Sequence, residues 1–313
     1  MELRHLRCFL AVAEELHFSR AADRLHIEPS PLSRVIKELE DDLGLLLFVR
    51  NRRRTQLTPA GHVFLQDVRK VLSAVQQARE NARTVASGRR GILRIAVSDG
   101  ATEPRLSTWL ARCREEEPEV EVRIVEVTLA EQLRGLHEGE FDAGFARAEN
   151  IGNGIVAEVV WHDPLLLAIP ARHPLLVHGR VPMDEVVRYP VIGCHPDVCE
   201  GYCSQVTRLL CELADEPNFV EHATSLDMML TLVAAGYGIG FVTASQMMVF
   251  RHPDVVMRPI LKSDEVVLTT YLLRREGNDS AQLRRFILRL NGPLGIPPSD
   301  PDNRVRHSSS LNQ

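Results

Sequence analysis

The sequence predicts an α/β protein with a small helical head, one long helix, and a body of alternating strands and helices in two lobes. Three observations carry this. Short amphipathic helices at the start are followed by an arginine-rich hairpin. From Phe64 to Val85 apolar residues recur in alternating steps of four and three, the spacing of a helix that pairs along one seam. Beyond Gly91 the order β-α-β-α-β occurs twice, which favours mostly parallel sheet covered by helices on both faces.

In the head, Leu3, Leu6, Leu10 and Ala13 fall at helical spacing. Ser19 reads as the N-cap of a short helix, "RAADRL", ending near Leu25. The stretch "HIEPSPLSRVIKELEDDLG" then starts a third helix, with Ser30 as cap, Pro31 in the first helical position and Gly44 as the stop. Leu32, Ile36, Leu39 and Leu43 make one core stripe. Ser30, Ser33, Arg34, Lys37 and Asp41 fall on the opposite face.

"LLLFVRNRRRTQLTP" reads as two strands around a turn that carries Arg50, Arg52, Arg53 and Arg54. Helix, turn, helix with an exposed polar face, then basic hairpin describes a winged helix-turn-helix, whose second helix enters the major groove. Ser30, Ser33, Arg34 and Lys37 suit bases and phosphates, and the four wing arginines suit the backbone or minor groove of double-stranded DNA. Charge agrees: up to Arg90 the chain has 16 Lys and Arg against 11 Asp and Glu, and beyond it 21 against 31. A basic head on an acidic body points to a polyanion partner for the head alone.

Thr58 and Pro59 start the long helix, which runs to about Ser87 with Phe64, Val68, Val71, Val75, Ala78, Ala82 and Val85 as its seam. At about 45 Å it outreaches so small a head, so pairing with a second copy is expected. "SGRRG" marks a boundary. The expected division is 1–58 for the head, 59–90 for the linker and dimerisation helix, and 91–291 for the body, with lobes over 91–163 plus 265–291 and over 164–264. The Pro- and Ser-rich residues 292–313 read as a disordered tail.

"FLAVAEELHFSRAADRLHIEPSPLSRVIKELEDDLGLLLFVRNRRRTQLTPAG" resembles the N-terminal signature of LysR-type transcriptional regulators, and "LVAAGYGIGFVT" resembles a recurring segment of their body. The resemblance covers roughly 1–290 and implies a two-lobed α/β effector-binding domain resembling periplasmic binding proteins. It also implies a homodimer or homotetramer on interrupted palindromes in promoter DNA, a small-molecule inducer such as an organic acid or aromatic, and RNA polymerase as a further partner. The sequence departs from the family where Thr-Gln and Gln are usual and Ile27, Glu28 and Val35 stand, so base preferences do not transfer.

In such a body the ligand lies between the lobes, where helix N-termini gather. Ser98 and Thr102 after the first strand offer hydroxyls and backbone N–H groups, although Asp99 and Glu103 weigh against a strongly acidic ligand there. Thr128 and Arg147 follow by matching position, and Ser204 and Thr224 close the site from the second lobe; capping of helices is the competing role for the hydroxyls.

"CHPDVCEGYC" suggests thiol chemistry as an alternative. In peroxide-sensing relatives a second-lobe cysteine oxidises, and Cys194, Cys203 or Cys211 would be partners here, against the plainer role of small core residues. No paired CxxC pattern joins Cys199, Cys203 and His195 into a metal site, and no cofactor is called for. No GxSxG elbow, P-loop or strand-first GxGxxG supports an enzyme. No uncharged run spans a bilayer and no cleavage site follows the first apolar run, so a cytoplasmic protein with free thiols is expected.

Overall fold

The computed structural model describes residues 1–51, 54–86, 91–101, 104–148, 151–212, 217–249, 252–261, 266–278 and 280–290. The head comprises α1 (Leu3–Glu15), α2 (Phe18–Leu25), α3 (Pro29–Leu43) and an antiparallel wing of β1 (Phe48–Asn51) and β2 (Arg54–Leu57). Phe9 and Val12 of α1, Ala21 and Ala22 of α2, and Leu32, Ile36 and Leu39 of α3 bury their side chains in one core. Two helices start earlier than their caps suggest. The His17 ring, not Ser19, accepts the Arg20 N–H at the start of α2. Glu28, not Ser30, is the cap residue of α3, because Pro29 and Pro31 both fit in a first turn whose N–H groups have no helical partners.

Glu40, 6% exposed, ties the wing to α3: its Oε1 accepts the backbone N–H groups of Leu47 at 2.8 Å and Phe48 at 3.0 Å. Gly44 makes the turn between them in the left-handed region, φ 69°.

In the body, β3 (Gly91–Val97), α5 (Pro104–Glu116), β4 (Val120–Glu126), α6 (Leu129–Glu138) and β5 (Ala143–Ala146) build one lobe. The chain leaves it along β6 (Ile155–Pro170) and builds the second from α7 (Met183–Val186), β7 (Val191–Cys194), α8 (Glu200–Cys211), β8 (Phe219–Ala223), α9 (Leu226–Ala234), β9 (Ile239–Thr243), α10 (Gln246–Val249) and β10 (Val255–Pro259). It returns along β11 (Val267–Arg275), and α11 (Ala281–Leu290) packs Phe286 on Trp109 of the first lobe.

The strands connect in the order β4-β3-β5-β11-β6-β9-β7-β8, with β10 on β6. β3 is parallel to β4 and β5, and β7 to β8 and β9. The sheet is nonetheless mixed rather than mostly parallel, because β6 and β11 are antiparallel to their neighbours. Sequence reading passed over β6, whose 16 residues pair with β11 up to Pro164 and with β9 and β10 from Leu165. Separate cores follow, around Trp109, Phe145 and Trp161 in one lobe and around Leu167, Ile192 and Phe241 in the other.

The long helix is α4 (Pro59–Ala86), and Thr58 accepts the Gly61 N–H at 2.9 Å at its start. Its apolar seam is divided. Phe64 and Val68 pack into the head core, whereas Val71, Ala78, Ala82 and Val85 are exposed. Arg69 links Glu14 of α1 at 3.3 Å to Glu138 of α6 at 3.5 Å, and Glu80 meets Arg94 at 2.7 Å and Arg123 at 3.2 Å. The hydrogen bond from Arg94 holds the Glu80 carboxyl below its ordinary pKa.

Glu40→Ala should leave two buried N–H groups without an acceptor and cost the wing about 2–3 kcal/mol of local stability. Hydrogen exchange at the Leu47 and Phe48 amides should accelerate by roughly 30- to 150-fold, while Glu38→Ala on the exposed face should leave both unchanged.

Candidate DNA-binding face and interlobe cleft

Because Leu32, Ile36 and Leu39 are held in the head core, α3 turns Ser30, Arg34 and Lys37 to solvent, with Ser33 half-buried beside them. Among the described residues neither Arg34 nor Lys37 is engaged in an ion pair. Val35 packs against the core, so of the departures from the family signature it is Ile27 and Glu28, both exposed, that reach the outer surface. Arg50 and Arg54 lie in the paired strands of the wing. The side chains of all four wing arginines, and the backbone of Arg52 and Arg53, lie outside the described residues.

Between the lobes lies a cavity of about 730 Å³. Its first-lobe wall is the turn after β3, the end of β4, the start of α6 and Arg147 after β5; its second-lobe wall is Cys194, the start of α8, and Thr224 to Met229. Tyr202 and Phe241 stand in the wall, joined by the Tyr202 hydroxyl donating to the Phe241 carbonyl at 2.6 Å.

Asp99 binds the two walls together. It sits at φ 56° in the turn after β3, followed by Gly100 at φ 62°, and is 2% exposed. Its Oδ1 accepts the Gly201 N–H in the first turn of α8 at 2.9 Å, and its Oδ2 accepts the Arg147 N–H at 3.1 Å. A carboxylate at that helix N-terminus meets both an unpaired N–H and the positive end of the helix dipole. Gln205, one turn further along α8, bonds the backbone N–H and carbonyl of Thr269 in β11, each at 2.8 Å, and donates to the Arg147 carbonyl. A Cβ on Gly201 would stand 2.6 Å from the Arg147 carbonyl carbon and 2.7 Å from the Ala148 nitrogen, so only glycine permits this approach.

Arg147 is 1% exposed and its guanidinium carbon lies 5.9 Å from the centre of the Tyr202 ring. Thr128 caps α6 and lines the cleft; its N–H and hydroxyl donate to Glu131 Oε2 at 3.0 and 2.9 Å, which lowers the Glu131 pKa. Thr224 is exposed to the cleft, and Ser225 beside it is the cap of α9. The structure thus brings Thr128, Arg147 and Thr224 to one cavity. Ser98 does not join them: the left-handed turn at Asp99 and Gly100 leaves Ser98 buried behind, its hydroxyl donating to Asp99 at 3.4 Å. Ser204 also lies elsewhere, two residues beyond Tyr202 and therefore on another face of α8, beside a separate crevice with Arg208 and Tyr271. Thr102 lies outside the described residues. Sequence reading missed Glu126, Tyr202, Gln205, Met229 and Phe241, whose orientation depends on how the lobes pack.

Three cysteines gather at the cleft. Cys194 and Cys199 both line the cavity, and the influence of each thiol on the other lowers the Cys199 pKa and raises that of Cys194; Cys199 is also the cap residue of α8. Cys203 donates to the Cys194 carbonyl at 2.8 Å, and burial pushes its pKa up to about 11. Cys211 is exposed rather than a core residue.

A winged helix-turn-helix joined by a long helix to a two-lobed α/β body with a ligand-sized cleft defines a ligand-responsive DNA-binding regulator. Residues 3–62 match the bacterial regulatory helix-turn-helix proteins of the lysR family, and residues 86–292 match the LysR substrate binding domain. The chain belongs to the LysR family and is a DNA-binding transcriptional regulator with an effector-binding domain. It is similar to the HTH-type transcriptional regulator AlsR of Bacillus subtilis, 32% identical over 92% of this chain and 94% of that one. It is also similar to the uncharacterized HTH-type regulator YnfL of Escherichia coli, 34% identical over 94% and 99%. Full-length CbnR in complex with its target DNA superposes with a TM-score of 0.71 at 27% identity, covering 93% of this chain and 99% of that one. These relatives are named as transcriptional regulators, a family without enzymatic activity. No described helix is long and apolar enough to cross a membrane.

Gly201→Ala should force Asp99 and the Arg147 backbone away from α8 and cost about 1–3 kcal/mol. Thermal unfolding followed by the fluorescence of Trp109 and Trp161 should shift down by several degrees.

Proposed function

We propose that the head reads promoter DNA through α3 and the wing, that exposed apolar positions on α4 pair two copies of the chain, and that a small molecule held between the lobes sets the response. The observation that carries this reading is the division of α3 into a buried leucine-isoleucine stripe and a polar face of exposed Ser30, Arg34 and Lys37 with half-buried Ser33, directly beside a basic hairpin. Ser33 and Arg34 are the candidates for base edges, and Lys37 with Arg50, Arg52, Arg53 and Arg54 for phosphates. Val71, Ala78, Ala82 and Val85 support a dimer, and a dimer of dimers suits paired half-sites. In this reading 1–58 bind DNA, 59–90 pair the copies and 91–291 sense the ligand, in the cytoplasm and with RNA polymerase as the downstream partner. Thr128 and Thr224 are the ligand-contacting candidates, and Arg147 is held behind them in the wall.

Footprinting on the DNA upstream of its own gene tests the first part. Wild-type protein should protect a site in a strongly salt-dependent manner, and Arg34→Ala should lose about 1–3 kcal/mol of specific affinity with unchanged thermal stability. Salt-insensitive protection, or unfolding of the Arg34→Ala variant, would contradict the assignment.

Cys194 and Cys199, which both line the cleft, would carry a second reading, in which the cleft senses a hydroperoxide. The Cys199 thiolate would attack the peroxide oxygen, releasing an alcohol or water and leaving a sulfenic acid; the Cys194 thiol would then displace water to form a disulfide. Stoichiometric peroxide should remove two mass units from the protein with Cys194 and Cys199 linked in the peptide map. A thiol pair that stays reduced, or linkage through Cys211, would exclude it.

A further inference from the structure

The accessible charge of the interlobe cavity is negative. Asp99 occupies the N-terminus of α8, a position that would otherwise suit a ligand anion, and its carboxylate oxygens accept the Gly201 and Arg147 N–H groups. Arg147, the cavity's one basic side chain among the described residues, is 1% exposed and lies under Tyr202. Glu126 at the end of β4 and Glu131 in the first turn of α6 both line the cavity and are exposed to it. The remaining wall combines apolar Val127, Val198, Leu226, Met229 and Phe241 with uncharged polar Ser107, Thr128, Thr224, Ser225 and Gln246. A carboxylate ligand entering here would find the N-termini of α8 and α6 already taken by Asp99 and Glu131, the cation covered, and the Glu126 carboxylate and the second oxygen of Glu131 uncovered. An ammonium group finds the reverse, with an apolar surface for whatever chain or ring carries it.

We infer that the effector of this protein is an organic amine: a cationic nitrogen facing Glu126 and Glu131, on an aliphatic or aromatic body resting against Met229, Leu226 and Phe241. This rests on the reading that the effector lies between the lobes, and it replaces the expectation of an organic acid. The ammonium gains attraction from two anionic side chains in a cleft walled by low-dielectric surface, where such interactions exceed their strength in bulk water. The apolar body gains by leaving water. Matched probes separate the two contributions because each pair shares its body and differs in charge.

The test is thermal shift and calorimetry on the full chain with hexylamine against hexanoate and benzylamine against benzoate, at low and high salt. The amines should raise Tm in a concentration-dependent way and bind at least about tenfold more tightly than the matched acids, with the margin shrinking in salt. Glu126→Gln should weaken amine binding severalfold, whereas Asp184→Asn on the distant α7 should leave it unchanged. Acids that stabilise better than amines, with the effect lost in Thr224→Val, would overturn the charge class and leave the cleft standing as the site. Amine binding unmoved by both Glu126→Gln and Thr224→Val would overturn the cleft reading as well. No shift from either series overturns the amine assignment.

Discussion

The body of this regulator depends on one buried carboxylate. Asp99 accepts from the first turn of α8 and from the backbone after β5, so it joins elements whose only covalent connection runs through β6 and the remainder of a lobe. A charge buried to 2% exposure persists because both oxygens are supplied with N–H donors and the helix dipole adds to them. Three further features follow from its position. Residue 201 has to be glycine for the backbones to approach, α8 is placed so that Tyr202 enters the cleft while Gln205 reaches β11, and the N-terminus of α8 is closed to any ligand anion.

The head obeys the same logic on a smaller scale. Glu40 points inward from α3 and satisfies the amides that begin the wing, so recognition helix and wing are held as a unit. The pairing of a buried glutamate with backbone donors gives the wing a fixed origin without adding apolar bulk. That tie holds the exposed face of α3, with Arg34, in a fixed position relative to the strands of the wing.

The long helix carries two loads at once. Its first turns belong to the head core through Phe64 and Val68, and its flank docks on the first lobe through Arg69 and Glu80. Only the later part of the apolar seam is left for another chain. In the proposed dimer a single heptad pattern is shared between an intramolecular and an intermolecular contact, and spacing alone does not reveal where one ends and the other begins.

The winged helix-turn-helix, the long helix and the alternating body were legible in the sequence because each rests on local periodicity: apolar steps of three and four, turn residues, and strand runs that repeat. The residues on the outer face of α3 followed from that periodicity. The cleft was less legible. Thr128, Arg147 and Thr224 converge there, but Ser98 is turned away by two left-handed residues and Ser204 falls on the wrong face of α8. The caps of α2 and α3 shifted because an imidazole ring and a pair of prolines served where serines were expected. What the sequence alone determined was which segments fold as helix or strand and which face each buries, since those depend on neighbours a few residues apart. Tertiary structure alone decided that Asp99 closes onto α8, that β6 crosses between lobes, and that the cleft presents carboxylates while covering its arginine. Those outcomes depend on contacts between residues about a hundred positions apart, as from Asp99 to Gly201, and no local pattern encodes them.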